Sequence, residues 1–195
     1  MRYIDKRLSM PKDVEKWIRK NKPKTWELGK DYYEGYVSLR EQLRQEQKGL
    51  CCYCCQILKT EANVEHLKSR DKYPKLTYDY GNLLLSCQQS KQCDNAKGND
   101  ELDLTPLMVE CDAEITLKVN GELNPKSKRA EQAINLLNLN NADLCQRRKQ
   151  VIKSLFDTDN RLDKEVLESM FQFMDIEVVE LYRYVLNKFV FHGYS

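Results

Sequence analysis

Histidine is scarce in this chain, since only His66 and His192 occur among its 195 residues. Long hydrophobic runs are missing too, and no apolar stretch approaches the roughly 20 residues that a membrane-spanning helix needs. Residues 1–7 also lack the apolar segment of a secretory signal peptide. We therefore expect a cytoplasmic protein with no membrane association, in which thiols stay reduced.

A strong excess of one charge is also absent, because 32 Lys and Arg residues stand against 30 Asp and Glu residues. The distribution along the chain says more than the total. Residues 1–50 contain 13 basic against 8 acidic side chains, whereas residues 157–195 contain 4 against 8. The basic segment suits phosphates and the acidic one suits a protein partner, but chance imbalance between solvated helix faces is an equal alternative.

The overall composition, 41% hydrophobic and 32% charged, is typical of a soluble globular protein. Apolar residues recur at helical spacing over much of the chain, and Asn120-Gly121 between alternating residues predicts a hairpin over 114–123. Short strands are expected at 63–67 and 82–86, although the latter also suits the start of a helix. The predicted helices cover residues 12–21, 27–48, 129–137, 143–156 (capped by Asp143) and 162–190, with a turn at 157–160.

These elements predict an α+β fold that is mainly helical. A helical arm over 1–48 precedes a central segment over 49–104, and a hairpin with further helices follows over 105–195. The central segment holds most of the residues that bind metals. It contains six of the eight cysteines, all between positions 51 and 93. In a reducing compartment this clustering favours metal binding over disulfides, while Cys111 and Cys145 are expected to be small buried thiols.

The cysteines form two pairs whose spacing predicts a structural zinc site. Cys51-x-x-Cys54 can turn two thiolates onto one ion, and Cys87 with Cys93 can supply the second pair. Four thiolates complete the tetrahedral shell of Zn²⁺ and leave no open position. By spacing alone, Cys52-x-x-Cys55 fits the first pair equally well.

A second group of residues lies between and beside the cysteine pairs. Glu65-His66, Asn82 and Asp94 offer the oxygen ligands and the imidazole that hold a hard metal and activate water. A lone histidine more often has a surface or zinc-binding role. The acidic neighbour and the flanking cysteines favour a catalytic role for His66.

Several motifs together resemble the HNH endonuclease family, whose fold is the ββα-metal finger. They are Cys51-Cys52-Tyr53-Cys54, Glu65-His66, Asn82-Leu83, Cys87, and Cys93-Asp94-Asn95-Ala96-Lys97. The likeness covers about 50 residues, in the same order and at similar spacing. It selects Cys51 and Cys54 as the first zinc pair and implies a metal-dependent hydrolase of phosphodiester bonds.

The resemblance also implies the role of each site residue. His66 would take a proton from water, Asn82 would hold the imidazole or its loop in place, and Glu65 with Asp94 would hold one Mg²⁺ or Mn²⁺. Lys97 would contact a neighbouring phosphate, although a solvated charge is the simpler expectation. Asp94 stands where the family has His or Asn, so Asn95 is an alternative ligand if the helix is shifted by one residue.

A narrower likeness extends to the HNH proteins of retron and Septu anti-phage systems. It rests on four stretches, at residues 65–68, 73–82, 97–99 and 137–140. It implies an antiviral role beside an ATPase subunit of the ABC or SMC type, with the acidic C-terminal helix as a docking surface. The motif fits DNA or RNA as the nucleic acid substrate. The competing hypothesis is a non-catalytic zinc module that binds nucleic acid or a partner protein.

Overall fold

The computed structural model describes residues 1–157, 160–161 and 164–188. At the N-terminus, α1 (Lys12–Asn21) follows Pro11 and ends at Lys22, in agreement with the helix predicted over 12–21. The predicted helix over 27–48 is divided into α2 (Leu28–Asp31) and α3 (Tyr33–Glu46). The backbone at Tyr32 is non-helical, with φ −147° and ψ 79°. The ring of Tyr32 stacks on Trp17 of α1 at a centroid distance of 5.8 Å, so a contact between helices lies at the break.

The central segment contains a two-stranded hairpin followed by a short helix. Strand β1 (Asn63–His66) pairs antiparallel with β2 (Leu83–Ser86), and Asn63 lies opposite Ser86. The strand alternative for residues 82–86 is therefore confirmed. Helix α4 (Asp94–Lys97) starts directly after Cys93 and ends at Gly98. The order strand, strand, helix thus lies within the segment that carries the cysteine pairs.

The C-terminal region opens with α5 (Glu110–Glu114) and the predicted hairpin. Strands β3 (Ile115–Leu117) and β4 (Leu123–Pro125) pair antiparallel, and Gly121 in the turn has a positive φ of 87°. Helix α6 (Lys128–Leu136) is capped by Ser127, whose side chain accepts a hydrogen bond from the Ala130 amide. The hairpin and this helix confirm the sequence interpretation.

Helix α7 (Ala142–Leu155) corrects one prediction about its start. The side chain of Asn141, not Asp143, accepts a hydrogen bond from the backbone of Leu144 at 3.0 Å. Asp143 instead forms an ion pair with Arg147 one turn further along. Asn and Asp both favour the capping position at the start of a helix, so the sequence alone does not distinguish them. The position of the turn in the tertiary structure makes Asn141 the capping residue.

The final helix predicted over 162–190 is two helices in the structure. A short pair of strands, β5 (Phe156–Asp157) and β6 (Asn160–Arg161), precedes α8 (Lys164–Phe171) and α9 (Ile176–Lys188). The backbone carbonyl of Asp175 accepts hydrogen bonds from the amides of Val178 and Val179 at the start of α9. Residues 158–159, 162–163 and 189–195, including part of the predicted turn and His192, lie outside the described residues.

All three predicted segments contribute to one hydrophobic core. Leu39 of α3, Leu85 of β2, Ile134 of α6 and Val185 of α9 are each at most 3% exposed. The observed fold is therefore α+β with small antiparallel sheets, as expected. In the described part of the chain, every helix is too short or too polar to cross a bilayer.

Two contacts fix the central hairpin to the helices around it. The buried side chain of Gln47, just after α3, donates to the carbonyls of Leu50 and Leu85 and accepts from the Leu85 amide. On the other side, the amide of Cys93 donates to the carbonyl of Leu137 at the end of α6. Both regions flanking the hairpin thus hold the backbone that carries the candidate site.

Candidate metal centre and active site

The four cysteines selected by the resemblance converge in space. Their sulfur atoms all lie within 4.8 Å of one another, and this group consists of Cys51, Cys54, Cys87 and Cys93. The Sγ atoms of Cys51 and Cys93 are 3.8 Å apart, and those of Cys54 and Cys87 are 3.9 Å apart. In a tetrahedron with zinc–sulfur bonds of about 2.3 Å, neighbouring sulfurs lie about 3.8 Å apart. The spacing therefore suits a tetrahedral metal ion.

Local backbone structure explains why Cys51 and Cys54 form the first pair. A bridge between Leu50 and Ile57 closes a tight turn, and the Cys51 amide donates to the carbonyl of Gln56. The amide of Cys52 donates to Leu85 of β2, which attaches this turn to the hairpin. Cys52 and Cys55 are buried beside the tetrad without belonging to it, so the alternative frame is wrong.

Hydrogen-bond donors reach two of the four sulfur atoms, those of Cys51 and Cys87. The Cys87 amide donates to the sulfur of Cys51 at 3.4 Å, and the Gln92 side chain donates to the sulfur of Cys87 at 3.5 Å. Burial opposes ionisation of Cys51, but hydrogen bonds from the neighbouring thiols hold its pKa well below the ordinary value. A thiolate in a cluster of thiols is the starting point for binding Zn²⁺, which displaces the remaining protons.

A separate polar cavity of about 270 Å³ lies at the hairpin and the start of α4. Three of the predicted site residues, Glu65, His66 and Asp94, line it together with Asn63 and Arg70. Among the described residues, only the cysteine tetrad has three or more Cys, His, Asp or Glu ligand atoms within 4.8 Å of one another. The cavity therefore brings Glu65, His66 and Asp94 together more loosely than a complete metal shell would.

The carboxylate of Glu65 is held by two buried donors. Tyr53 donates its hydroxyl to Oε1 at 2.8 Å, and the ammonium group of Lys97 lies 3.0 Å from the same oxygen. Burial raises the pKa of Glu65, while Lys97 and Tyr53 act in the opposite direction. Because both contacts fall on Oε1, the second oxygen of Glu65 is the one left for a cation.

The imidazole of His66 is buried and fixed in one orientation. Its Nε2 atom lies 3.0 Å from the Thr77 carbonyl, and its ring meets the edge of Trp26 at a centroid distance of 4.7 Å. Because a carbonyl only accepts hydrogen bonds, this contact places the proton on Nε2 and leaves Nδ1 as the acceptor. Burial lowers the pKa of His66 to about 4, although the hydrogen bond to Thr77 opposes that shift.

Asp94 and Asn95 are the two candidates for the last oxygen ligand, and their surroundings differ. Asp94 accepts hydrogen bonds from Ser86 at 3.2 Å and from Asn63 at 3.4 Å. Burial raises the pKa of Asp94, and these hydrogen bonds only partly offset that effect. The side chain of Asn95 donates instead to the carbonyl of Gln89 at 3.0 Å and does not line the cavity. The geometry therefore favours Asp94.

The side chain of Asn82 contacts the loop before β2 and does not bond the imidazole of His66. It accepts a hydrogen bond from the Lys68 amide at 2.7 Å and donates to the carbonyls of Lys68 and Leu76 at 3.0 and 3.2 Å. This loop carries Thr77, the partner of His66. Asn82 thus has a positioning role through the loop, one of the two roles considered for it.

Lys97 is the clearest correction among the site residues. It is 1% exposed, and besides Glu65 it contacts the carbonyls of His66 and Gly98. The expectation of a solvated charge is wrong, and the buried ammonium group has no open surface for a phosphate. Its distance of four residues from Cys93 places it at the end of α4, where the helix directs it into the hairpin.

Sequence reasoning missed two residues that shape the cavity. Asn63 lies two residues before Glu65 on the same strand face, a periodicity that the sequence does display. The hydroxyl of Ser86 lies 3.2 Å from Asp94 and 3.8 Å from the sulfur of Cys51, so this residue touches both groups. No sequence signal distinguishes Ser86, because its role depends on the strand register.

Comparison with known proteins adds no assignment to these sites. No family model matches the chain, and no curated protein matches it.

Proposed function

We propose that the chain is a metal-dependent endonuclease of the HNH type, which hydrolyses phosphodiester bonds in nucleic acid. The observation that carries this proposal is the orientation of His66. The contact of its Nε2 atom with the Thr77 carbonyl leaves Nδ1 as the free acceptor, and His66 lines the cavity together with Glu65 and Asp94. A buried base beside two carboxylates, in a polar cavity of about 270 Å³ that has room for water, is an arrangement suited to activating water.

His66 would act as the general base. Water transfers a proton to Nδ1, its oxygen forms a bond to phosphorus, and the bond from phosphorus to the 3′ oxygen breaks. The lowered pKa keeps the imidazole neutral before the substrate arrives. The charge of an incoming phosphodiester raises the proton affinity of the ring, so the imidazolium that forms is stabilised during the reaction.

Glu65 and Asp94 would hold Mg²⁺ or Mn²⁺, since carboxylate oxygens are the ligands these ions prefer. When bound, such an ion neutralises the charge that develops on the phosphate and the leaving oxygen. The two carboxylates fit this purpose because burial raises both of their pKa values. Lys97 supplies a positive charge beside Glu65, whereas Asn63 and Ser86, whose side chains donate to Asp94, are uncharged.

The loop after β1 would contact the substrate backbone. Residues 68–75 contain four basic side chains and one acidic side chain, and Arg70 of this loop lines the cavity. Basic groups at a cavity mouth position phosphates without reading the base sequence. DNA and RNA are both compatible with this contact, and the association with an ATPase subunit in antiviral defence stays a prediction.

The cysteine tetrad would hold Zn²⁺ as a structural ion. Its four sulfur ligands complete a tetrahedral shell, so the ion would have no open position for a substrate. Its role would be to fix the turn at 51–54 against β2 and α4. Those elements in turn carry the residues of the cavity.

Substitution of His66 by alanine tests the proposal directly. The purified protein and H66A are incubated with supercoiled plasmid and with total RNA, in Mg²⁺ or Mn²⁺. We expect cleavage by the unmodified protein and a loss of about 10²–10⁴-fold in H66A, the usual contribution of a general base. Zinc content and melting temperature, measured on the same samples, should be nearly unchanged. Equal cleavage by H66A would remove His66 from the mechanism.

The non-catalytic zinc module remains the second candidate, and the ion pair of Glu65 with Lys97 favours it. A carboxylate that is already paired with a buried ammonium group gains less free energy from binding a metal cation. This candidate predicts that the protein binds nucleic acid or a partner without cleavage, and that Mn²⁺ does not bind in the cavity. Titration with Mn²⁺, followed by electron paramagnetic resonance, separates the two.

A further inference from the structure

A second cleft, with a volume of about 580 Å³, adjoins the candidate cation cavity. The link between them is a hydrogen bond of 3.0 Å. Gln88, which lines the cleft, donates it to the side-chain oxygen of Asn63, which lines the cavity. Ala62, the residue before Asn63, also lines the cleft. A nucleic acid strand that reaches the cavity therefore passes directly beside this cleft.

The lining of this cleft is polar but has no excess of charge. Four glutamines contribute to it, at positions 56, 88, 89 and 92. Its charged residues are two cations and two anions, Lys59, Arg147, Glu61 and Asp143, which balance each other. A phosphate would favour a net positive lining, whereas uncharged amides match the donors and acceptors on base edges.

One of the four amides is a buried donor without a partner. The Nε2 atom of Gln56 is inaccessible to solvent and forms no hydrogen bond within the described part of the chain. By contrast, the side chain of Gln92 is satisfied by Cys87 and Asn141. A buried donor that lacks an acceptor is unfavourable. Because Gln56 lines the cleft and is only partly buried as a residue, a rotation of its side chain would present this donor to an incoming acceptor.

We propose that this cleft binds the nucleobase of a nucleotide next to the scissile phosphate. Gln56 would donate to an acceptor on the base edge, and the free carbonyl of the Gln88 amide would accept from a donor. Ile57, Ala62 and Leu144 supply apolar surface for the base itself. The volume lies within the range of about 300–1,000 Å³ that is usual for pockets of small ligands. This inference rests on the proposed nuclease function.

The test uses the full chain and a pool of oligonucleotides of random sequence, cleaved in Mn²⁺ and sequenced at the cut ends. The unmodified protein should prefer one base at a position next to the cut. Gln56→Met removes the buried amide while keeping the length of the side chain. It should reduce that preference by about fivefold or more, as expected for the loss of a contact to a base edge.

Two further variants make the result decisive. Gln45→Met is the matched control, because this exposed glutamine lies in a different part of the surface and its loss should leave the preference unchanged. Ile57→Trp fills the cleft from an exposed position and should abolish the preference even if Gln56→Met folds poorly. Zinc content and melting temperature report on folding.

The possible results separate this inference from the proposed function. Cleavage without any base preference, or a preference that survives both Gln56→Met and Ile57→Trp, overturns the base-binding cleft but not the nuclease. If the unmodified protein neither cleaves nor binds any nucleic acid, the nuclease proposal fails, and the cleft proposal fails with it.

Discussion

The sulfur tetrad and the carboxylate cavity are neighbours with opposite properties. Cys93 and Asp94 are consecutive, yet the first joins four sulfurs within 4.8 Å of one another and the second lines a polar cavity. The tetrad is almost fully enclosed, and its soft ligands suit an ion that stays bound. The cavity offers hard oxygen ligands and space for water, which suit an ion that exchanges. One hairpin and one short helix therefore carry two groups of potential ligands, one soft and one hard.

The largest expected effect comes from removing one sulfur of the tetrad. Cys54→Ser should lose the zinc ion and the cooperative thermal transition. The free energy of binding structural zinc, about 10–16 kcal/mol in zinc-finger peptides, is of the same order as or larger than the stability of a typical domain. Zinc is measured by mass spectrometry of the purified protein, and folding by circular dichroism during heating.

The neighbouring Cys55→Ser is the matched control for that variant. Both cysteines are fully buried and one position apart, but Cys55 lies outside the tetrad. We expect it to keep one zinc ion per chain and a melting temperature close to that of the unmodified protein. If both variants retained zinc, the tetrad would not be the binding site.

The next effect concerns the ion pair within the cavity wall. Lys97→Met should destabilise the protein by about 3–5 kcal/mol, because it leaves the carboxylate of Glu65 buried without its ammonium partner. The contact itself is 3.0 Å long, and the two side chains are 1% and 9% exposed. Denaturant unfolding at pH 7 measures the loss.

A double variant shows whether charge is the cause. Lys97→Met combined with Glu65→Gln removes both charges, so much of the lost stability should return. Saturating Mn²⁺ should also stabilise Lys97→Met more than it stabilises the unmodified protein, since a cation can replace the ammonium group beside Glu65. Equal stabilisation of the two proteins would place Mn²⁺ elsewhere.

Local patterns in the sequence were sufficient for one of these two sites and for most of the elements. Cysteine spacing defined two candidate frames, and the resemblance chose the one whose four sulfur atoms converge in the structure. The buried state of Lys97 and the bridging contact of Ser86 were beyond sequence reasoning. They depend on how α4 packs on the hairpin and on the pairing register, which involve residues distant in the sequence.

The prediction of one continuous helix over 27–48 was wrong for the same physical reason. Residues 27–48 have helical periodicity throughout, but the backbone is non-helical at Tyr32, where the ring stacks on Trp17 of α1. Helical periodicity shows which residues share one face of a helix, but it does not show which contacts that helix makes with another helix. The aromatic group that includes Trp26 also packs against His66, so this region influences the site although it lies outside the resemblance.

A smaller effect distinguishes the two candidates for the last oxygen ligand. Asp94→Ala should weaken Mn²⁺ binding by at least about tenfold, a difference of about 1.4 kcal/mol. Asn95→Ala should leave the affinity unchanged, because the Asn95 side chain is bonded to the carbonyl of Gln89 outside the cavity. Zinc content serves as the control in both variants. The reverse order of effects would indicate a shifted helix register.

The smallest expected effect that separates the two sites is the competition between protons and Mn²⁺ for the carboxylates of the cavity. Burial raises the pKa values of Glu65 and Asp94, so a falling pH protonates these carboxylates and weakens the binding of Mn²⁺. Burial lowers the pKa of His66 to about 4, so the base itself stays unprotonated well below the usual histidine value of about 6.5.

Only the protonation of the carboxylates depends on the concentration of Mn²⁺ in this way, and this makes the two effects separable in a pH profile of kcat/KM. At a low concentration of Mn²⁺, the loss of kcat/KM on the acid side of the profile, its acid limb, should be set by the protonation of Glu65 and Asp94. Additional Mn²⁺ competes with protons at those oxygens and should move that limb to lower pH, until the protonation of His66 sets it. An acid limb that stays near pH 6.5, at about the ordinary histidine pKa, whatever the Mn²⁺ concentration, would contradict both a buried base and a cation held by these carboxylates.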